Sequence, residues 1–209
     1  MVKYNKETLI VDEFIKNPIK ENTKIFFSHF GRYFYASKVL DIGRKDCVLD
    51  VSCGEGYGTY SLSSLCKSIT GLDINKEYIE MAQKNYTTDN LKFMTYEDYY
   101  MNYPNPKDGI VDKILVIETL EHIPKEETEQ FIENLLRFLK VGGSAFITMP
   151  LGQNEASEYN KFHLNEPSID VLFDLFSKYF EKINIEIDSF VNSFGYECKY
   201  AFLILKNKK

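Results

Sequence analysis

The stretch Val48-Leu-Asp-Val-Ser-Cys-Gly-Glu-Gly-Tyr-Gly58 decides the fold. An apolar run that stops at Asp50 and gives way to Gly54, Gly56 and Gly58 has the pattern of a buried parallel strand, a tight turn and a helix start. Glycine suits that turn because a side chain would occupy the place of a ligand approached by backbone. Further on, Gly71-Leu-Asp-Ile-Asn75 closes a second short strand with an acid, Asp73, where a carboxylate can accept both hydroxyls of a ribose. An adenosine compound is the expected ligand.

Details of the turn narrow the choice. A dinucleotide fingerprint needs a third glycine at position 59, which is Thr59, so a pyrophosphate is poorly served. The pattern D-x-x-C-G-x-G-x-G, with Asp50, Cys53, Gly54, Gly56 and Gly58, resembles the first motif of the class I S-adenosylmethionine (SAM) methyltransferases. Ser52 stands where that motif usually has its first glycine. The Gly71–Asn75 segment resembles the ribose-binding acidic loop of the same superfamily. The resemblance implies SAM as cofactor, with Asp50, Ser52, Cys53, Gly54, Gly56, Gly58 and Asp73 around it; Ile74 is placed to pack against the adenine face, with core packing as the alternative.

With 209 residues, 44% hydrophobic and 27% charged, the chain suits one globular domain over 1–209, divided into an N-terminal helical cap (1–42) and a cofactor-binding core (43–209). No apolar run approaches the roughly 18 to 20 residues of a membrane helix. The start, Met1-Val-Lys-Tyr-Asn-Lys-Glu7, lacks the apolar centre of a signal peptide, so a cytoplasmic protein is expected. Cys47, Cys53, Cys66 and Cys198 show no C-x-x-C spacing and read as reduced packing residues, with Cys53 the exception because it lies in the cofactor turn. A net charge of −6 and short basic clusters such as Lys206-Asn-Lys-Lys209 disfavour nucleic acid as the main partner. A small-molecule or sugar acceptor and a monomer or homodimer are the expected partners.

From residue 46 onward strand and helix signals alternate, which predicts βαβ units and a parallel sheet. Strands are expected near 46–52, 68–73, 91–95, 111–117 and 144–149, with a closing pair near 183–190 and 199–206. A helix is expected from Pro124 to Lys140, with Phe131, Leu135, Phe138 and Leu139 at helical spacing and Gly142-Gly143 as its stop. Another is expected over 167–180. The last two strands have too few residues between them for a crossover helix and should pair antiparallel. The fold class is therefore α/β: a Rossmann-like, seven-stranded, mostly parallel sheet with an antiparallel last strand, helices on both faces and a helical cap. Within the cap, Phe26, Phe30, Tyr33 and Phe34 are candidates for burial.

Several segments carry candidate chemistry. His29-Phe-Gly-Arg-Tyr33 followed by Tyr35-Ala36 resembles a helix of small methyltransferases linked to bacterial glycan assembly. That likeness implies that Arg32 and Tyr33 close over the methionine end of the cofactor, Arg32 pairing with its carboxylate; a solvated arginine on an amphipathic helix is the alternative. The superfamily places an acid on the adenine amino group after the third strand, which here implies Glu97 or Asp98.

The fourth strand runs into Glu118-Thr-Leu-Glu121-His122-Ile-Pro124, at the end of an α/β sheet where ligands bind. His122 has the intrinsic pKa of a general base for an acceptor hydroxyl, and Glu118 lies on the same rim as a catalytic and cofactor candidate. If this segment is helical, Glu118, Glu121 and His122 project to one side. With His163 of Asn160-Lys-Phe-His-Leu164 they form a set suited to a divalent cation. That set resembles the metal site of the small-RNA 2′-O-methyltransferases, and a related E-H segment occurs in the quinone-biosynthesis O-methyltransferases. His163 also resembles the histidine of an F-H-x-x-E stretch in glycan-linked methyltransferases, with Glu166 as companion. The loop Met149-Pro-Leu-Gly-Gln-Asn154 and Tyr159 are expected on the acceptor side.

The reading is a SAM-dependent methyltransferase acting by in-line transfer on a hydroxyl of a sugar, glycan precursor or other small molecule. A metal-assisted RNA ribose methyltransferase and a non-catalytic SAM-binding partner subunit are the alternatives.

Overall fold

A computed structural model describes residues 20–104, 106, 108–152, 160–191 and 197–209, with backbone alone at 20–28, 190, 191 and 197. By its contacts the chain divides into two compact units, Met1–Pro104 and Asn105–Lys209. The seven strands follow the order β3-β2-β1-β4-β5-β7-β6 in a mostly parallel sheet, as expected.

The first unit opens with helix α1 (Lys20–Val39), followed by β1 (Cys47–Val51), α2 (Tyr57–Ser63), β2 (Ser68–Asp73), α3 (Lys76–Asn85), β3 (Leu91–Thr95) and α4 (Tyr96–Asn102). Strands β1 to β3 pair in parallel, Asp50 facing Gly71 and Asp73 facing Thr95. Val48, Leu49, Asp50 and Val51 are all buried, which is why β1 reads as a continuous apolar run rather than an alternation. Asn75 caps α3 by accepting from the Glu77 amide at 2.9 Å, and Thr95 caps α4 by accepting from the Asp98 amide at 3.1 Å. In α1, Tyr33, Ala36 and Arg32 are buried, whereas Phe34 is 47% exposed, contrary to expectation. It lies one position round the helix from Tyr33 and stacks edge-on with half-buried Phe30 instead of entering the core. Phe26 lies outside the described side chains.

The second unit holds β4 (Val111–Ile117), a 3-10 turn (Leu120–His122), α5 (Lys125–Leu136), β5 (Leu139–Pro150), α6 (Ile169–Ser177), β6 (Phe180–Val191) and β7 (Glu197–Lys208). Strands β4 and β5 are parallel, and β7 runs antiparallel to both β5 and β6. Helix α5 ends at Leu136 rather than at the expected Lys140. Phe138 and Leu139 are fully buried, and the Phe138 carbonyl accepts from the amides of Ile110 and Val111 at 2.7 and 3.0 Å. That pairing begins β5 at Leu139, ahead of Gly142-Gly143. Val111 faces Leu139 but Lys113 faces Ser144, so residues 140–143 bulge out, with Gly142 at φ 76°.

Among the described residues no helix is long and apolar enough to cross a membrane. The four cysteines are thiols, with Cys53 and Cys66 buried.

Candidate functional site

Two groups of residues stand beyond strand ends, one in each unit. Beyond β1, the chain turns through Ser52 at φ 61°, Gly54 at φ 55° and Gly56 at φ 84°. Ser52 is a non-glycine residue in left-handed geometry, which costs on the order of 1–2 kcal/mol, and its hydroxyl lies 3.0 Å from the Tyr96 hydroxyl. The Cys53 amide extends the ladder by donating to Leu72 O at 2.8 Å. The Asp73 carboxylate then fastens the turn: Oδ2 accepts from the Gly54 amide at 2.9 Å and Oδ1 from the Asn75 amide at 2.8 Å. A carboxylate can accept up to about four hydrogen bonds, so Asp73 retains acceptor capacity for a ligand hydroxyl. Burial pushes the Asp73 carboxyl up, and its amide donors oppose that.

The three glycines of the turn serve different purposes. A Cβ on Gly54 would meet nothing within 4 Å. On Gly56 it would lie 2.6 Å from the Phe93 ring and 2.8 Å from Ala82, and on Gly58 it would collide with the ring of Tyr33. Only Gly54 therefore fits the expectation of backbone opening onto a ligand; Gly56 and Gly58 make room for the protein's own side chains.

Asp50 and Cys53 also differ from expectation. Asp50 is 0% exposed, and its carboxylate accepts from Thr59 Oγ1 at 2.5 Å and from the Tyr33 hydroxyl at 3.5 Å. Burial raises its pKa to about 7, against the lowering effect of those two donors. Asp50 ties β1 to α1 and α2 instead of meeting a ligand, and Tyr33 spends its hydroxyl there. The Cys53 side chain packs with Ile79, Ala82 and Phe93. Burial drives its thiol, like the Tyr33 phenol, well above the ordinary range. Arg32 is buried, not a solvated helix residue.

Ile74 is 86% exposed, which rules out core packing and leaves its side chain open at the strand end. Of the two acids after β3, Asp98 accepts from Thr95 Oγ1 at 2.7 Å and so belongs to the cap of α4. Glu97 is exposed in the first turn of that helix.

In the second unit, Glu118 follows β4 at φ 51°, the counterpart of Ser52 after β1. Its Oε1 accepts from Thr148 Oγ1 at 2.8 Å. The helix expected through Glu118 to His122 is only a 3-10 turn starting at Leu120, so the i, i+3, i+4 alignment fails and Glu118 does not join the others. Glu121, His122 and His163 do converge: one ligand atom from each lies within 4.8 Å of the others, with Glu121 1% exposed. The two imidazoles meet edge to face at 5.3 Å.

Hydrogen bonds fix both rings. His122 Nδ1 lies 3.0 Å from the Phe162 carbonyl, which can only accept, so Nδ1 carries the proton and Nε2 keeps its lone pair in the neutral ring. The segment bearing His163 is buckled onto the turn, since the Glu121 carbonyl accepts from the amides of Leu164 and Asn165 at 2.6 and 3.1 Å. Tyr159 and residues 153–154 of the expected acceptor loop lie outside the described residues.

Residues 48–143 match the family model described as a methyltransferase domain. The chain is 28% identical over 101 residues to a ubiquinone biosynthesis O-methyltransferase of Proteus mirabilis, covering 48% of this chain and 40% of that protein. It is 36% identical over 114 residues to the mitochondrial ubiquinone biosynthesis O-methyltransferase of Dictyostelium discoideum, covering 48% of this chain and 34% of that one. The matches thus span well under half the length of these relatives. The fold is similar to that of the [4+2]-cyclase SpnF, at a TM-score of 0.66 and 14% identity over 85% of this chain and 81% of that chain. Residues 48–143 are thus similar to a methyltransferase domain, in line with the resemblance of the turn and of the Asp73 loop. Fold alone does not decide the reaction.

Proposed function

We propose that this protein is a SAM-dependent O-methyltransferase acting on the hydroxyl of a small molecule, with sugars and sugar nucleotides as the narrower acceptor class. One observation carries the cofactor half: the Gly54 turn is open where a ligand would approach, beside an Asp73 carboxylate already aligned by two backbone amides. Ser52, Gly54, Asp73, Ile74 and Glu97 form the cofactor-facing set, while Asp50, Cys53, Gly56, Gly58 and Tyr33 shape the turn from within. Buried Arg32 serves the methionine carboxylate.

The relatives' names support an oxygen acceptor, and the imidazole pair supplies its chemistry. The hydroxyl oxygen attacks the methyl carbon in line, the carbon–sulfur bond breaks, and S-adenosylhomocysteine leaves with the electron pair. The hydroxyl proton passes to an imidazole Nε2, the ring nitrogen that keeps its lone pair in His122.

A second reading has the same cluster hold a divalent cation, favoured by the convergence of Glu121, His122 and His163. A zinc-type ion at about 2.1 Å from each donor needs them some 3–4 Å apart. His122 Nε2 and Glu121 Oε1 are 3.9 Å apart, so the set fits after a small contraction of its outermost pair. The ion would lower the acceptor's pKa. Glu118 is left out of this set.

S-adenosylhomocysteine formation from SAM would be followed with catechols, sugars, sugar nucleotides and structured RNA, with and without chelator. Turnover with a small hydroxyl compound is expected; loss of it in chelator selects the cation. Turnover with RNA alone favours a ribose methyltransferase. Cofactor binding with no turnover on any acceptor points to a non-catalytic subunit.

A further inference from the structure

His163 is held differently from His122. Its Nδ1 lies 2.6 Å from Glu166 Oε1, three residues on, and both side chains are largely buried, at 14% and 17% exposure. An ionised carboxylate can only accept, so the contact requires a proton on Nδ1 and leaves the lone pair of the neutral ring on Nε2. Glu166 is in turn confined from the other side. A Cβ on Gly152 would lie 2.5 Å from Glu166 Cβ and 3.0 Å from its Oε2, so the chain after β5 closes directly over the glutamate where only glycine fits. The Gly152 amide also donates to Pro167 O at 3.3 Å, beside Glu166 in the chain.

We infer that Glu166 is a positioning residue: from its seat under Gly152 it fixes His163 as the Nδ1–H tautomer and turns Nε2 toward Glu121 and His122, where the proton or the cation is received. This rests on the reading of that cluster as the acceptor-activating site. A carboxylate behind the ring serves either version of the chemistry, because it stabilises the imidazolium formed by proton transfer and equally orients a metal-binding histidine. At His122 the group facing Nδ1 is a backbone carbonyl rather than a carboxylate, so the two imidazoles are not interchangeable.

The test uses Glu166→Ala and Glu166→Gln with ring-nitrogen NMR of His163, turnover, and S-adenosylhomocysteine affinity. The wild type should show the Nδ1–H tautomer. Glu166→Ala should scramble it and reduce kcat roughly 10- to 100-fold, the usual cost of removing such a support, with unchanged cofactor affinity serving as the control for folding. Glu166→Gln, whose amide oxygen still accepts from Nδ1–H, should restore the tautomer and most of the turnover. A wild-type tautomer in Glu166→Ala, or scrambling in Glu166→Gln equal to that in Glu166→Ala, overturns the inference. A wild type that turns over no acceptor overturns the reading of the reaction instead, and the tautomers still decide the role of Glu166.

Discussion

The turn beyond β1 and the turn beyond β4 begin alike, each with a non-glycine residue in left-handed geometry, Ser52 and Glu118. They differ in what they offer. After β1 the side chains are largely spent inside the protein: Asp50 on Thr59 and Tyr33, Cys53 on the core, Gly58 yielding to Tyr33. What remains is backbone at Gly54 and one carboxylate, a surface suited to holding a cofactor in a fixed pose. After β4 the offering is side chains, two imidazoles and a carboxylate, with the ring tautomers set by neighbours. A cofactor shared by a superfamily needs shape, and an acceptor's proton needs a titratable group.

Substitutions in the imidazole pair should have the largest effect. His163→Ala and His122→Ala are each expected to lower kcat by about 10²- to 10⁴-fold, the range for loss of a general base, while S-adenosylhomocysteine affinity stays near normal. Loss of cofactor binding or of folding in either variant would erase the division of labour between the two turns.

The glycines sharpen the contrast within the first turn. Gly58→Ala drives a methyl group into the Tyr33 ring and should cost about 1–3 kcal/mol or more as overpacking. In a chain of this size that lowers Tm by roughly 2–4 °C per kcal/mol, and part should return when Tyr33→Leu is added. Gly54→Ala meets no atoms and should cost only the strain of its positive φ, on the order of 1 kcal/mol, yet weaken S-adenosylhomocysteine binding. Equal loss of stability in both would refute the distinction.

A smaller effect concerns Asp50. Its pKa is raised by burial from an ordinary 3.8 to about 7, so the folded state holds a proton that the unfolded chain gives up. Stability from this residue is full below about pH 4 and is lost as pH rises through 7. Asp50→Asn keeps an acceptor for Thr59 and Tyr33 without the charge. Denaturant midpoints measured from pH 5 to 8 should fall more steeply with pH in the wild type than in the variant; parallel curves would place no titration at Asp50.

How much of this is legible in the sequence depends on distance along the chain. The strands of the first unit and the Asp73 acid are readable because the run from Val48 to Gly58 and the acid loop at Gly71–Asn75 lie close together, and each is shaped by local geometry. The purposes of the three glycines are not readable, since Phe93 and Tyr33 reach Gly56 and Gly58 from elsewhere in the fold. In the second unit His122 is readable, but its contact to Phe162 spans 40 residues. Helical spacing also puts Glu118 with Glu121 and His122, whereas the backbone breaks at Glu118 and starts a 3-10 turn at Leu120. The companionship of His163 and Glu166 is visible as F-H-x-x-E, and only the folded chain brings Gly152 over it.

The most direct measurement is a calorimetric titration of S-adenosylhomocysteine into the wild type and Asp73→Ala. Micromolar binding to the wild type is expected. The variant should bind about 10- to 100-fold more weakly, the 1–3 kcal/mol lost with a charged hydrogen-bonding partner. Unchanged affinity in Asp73→Ala, or no binding to the wild type, would contradict a cofactor seat at the Gly54 turn.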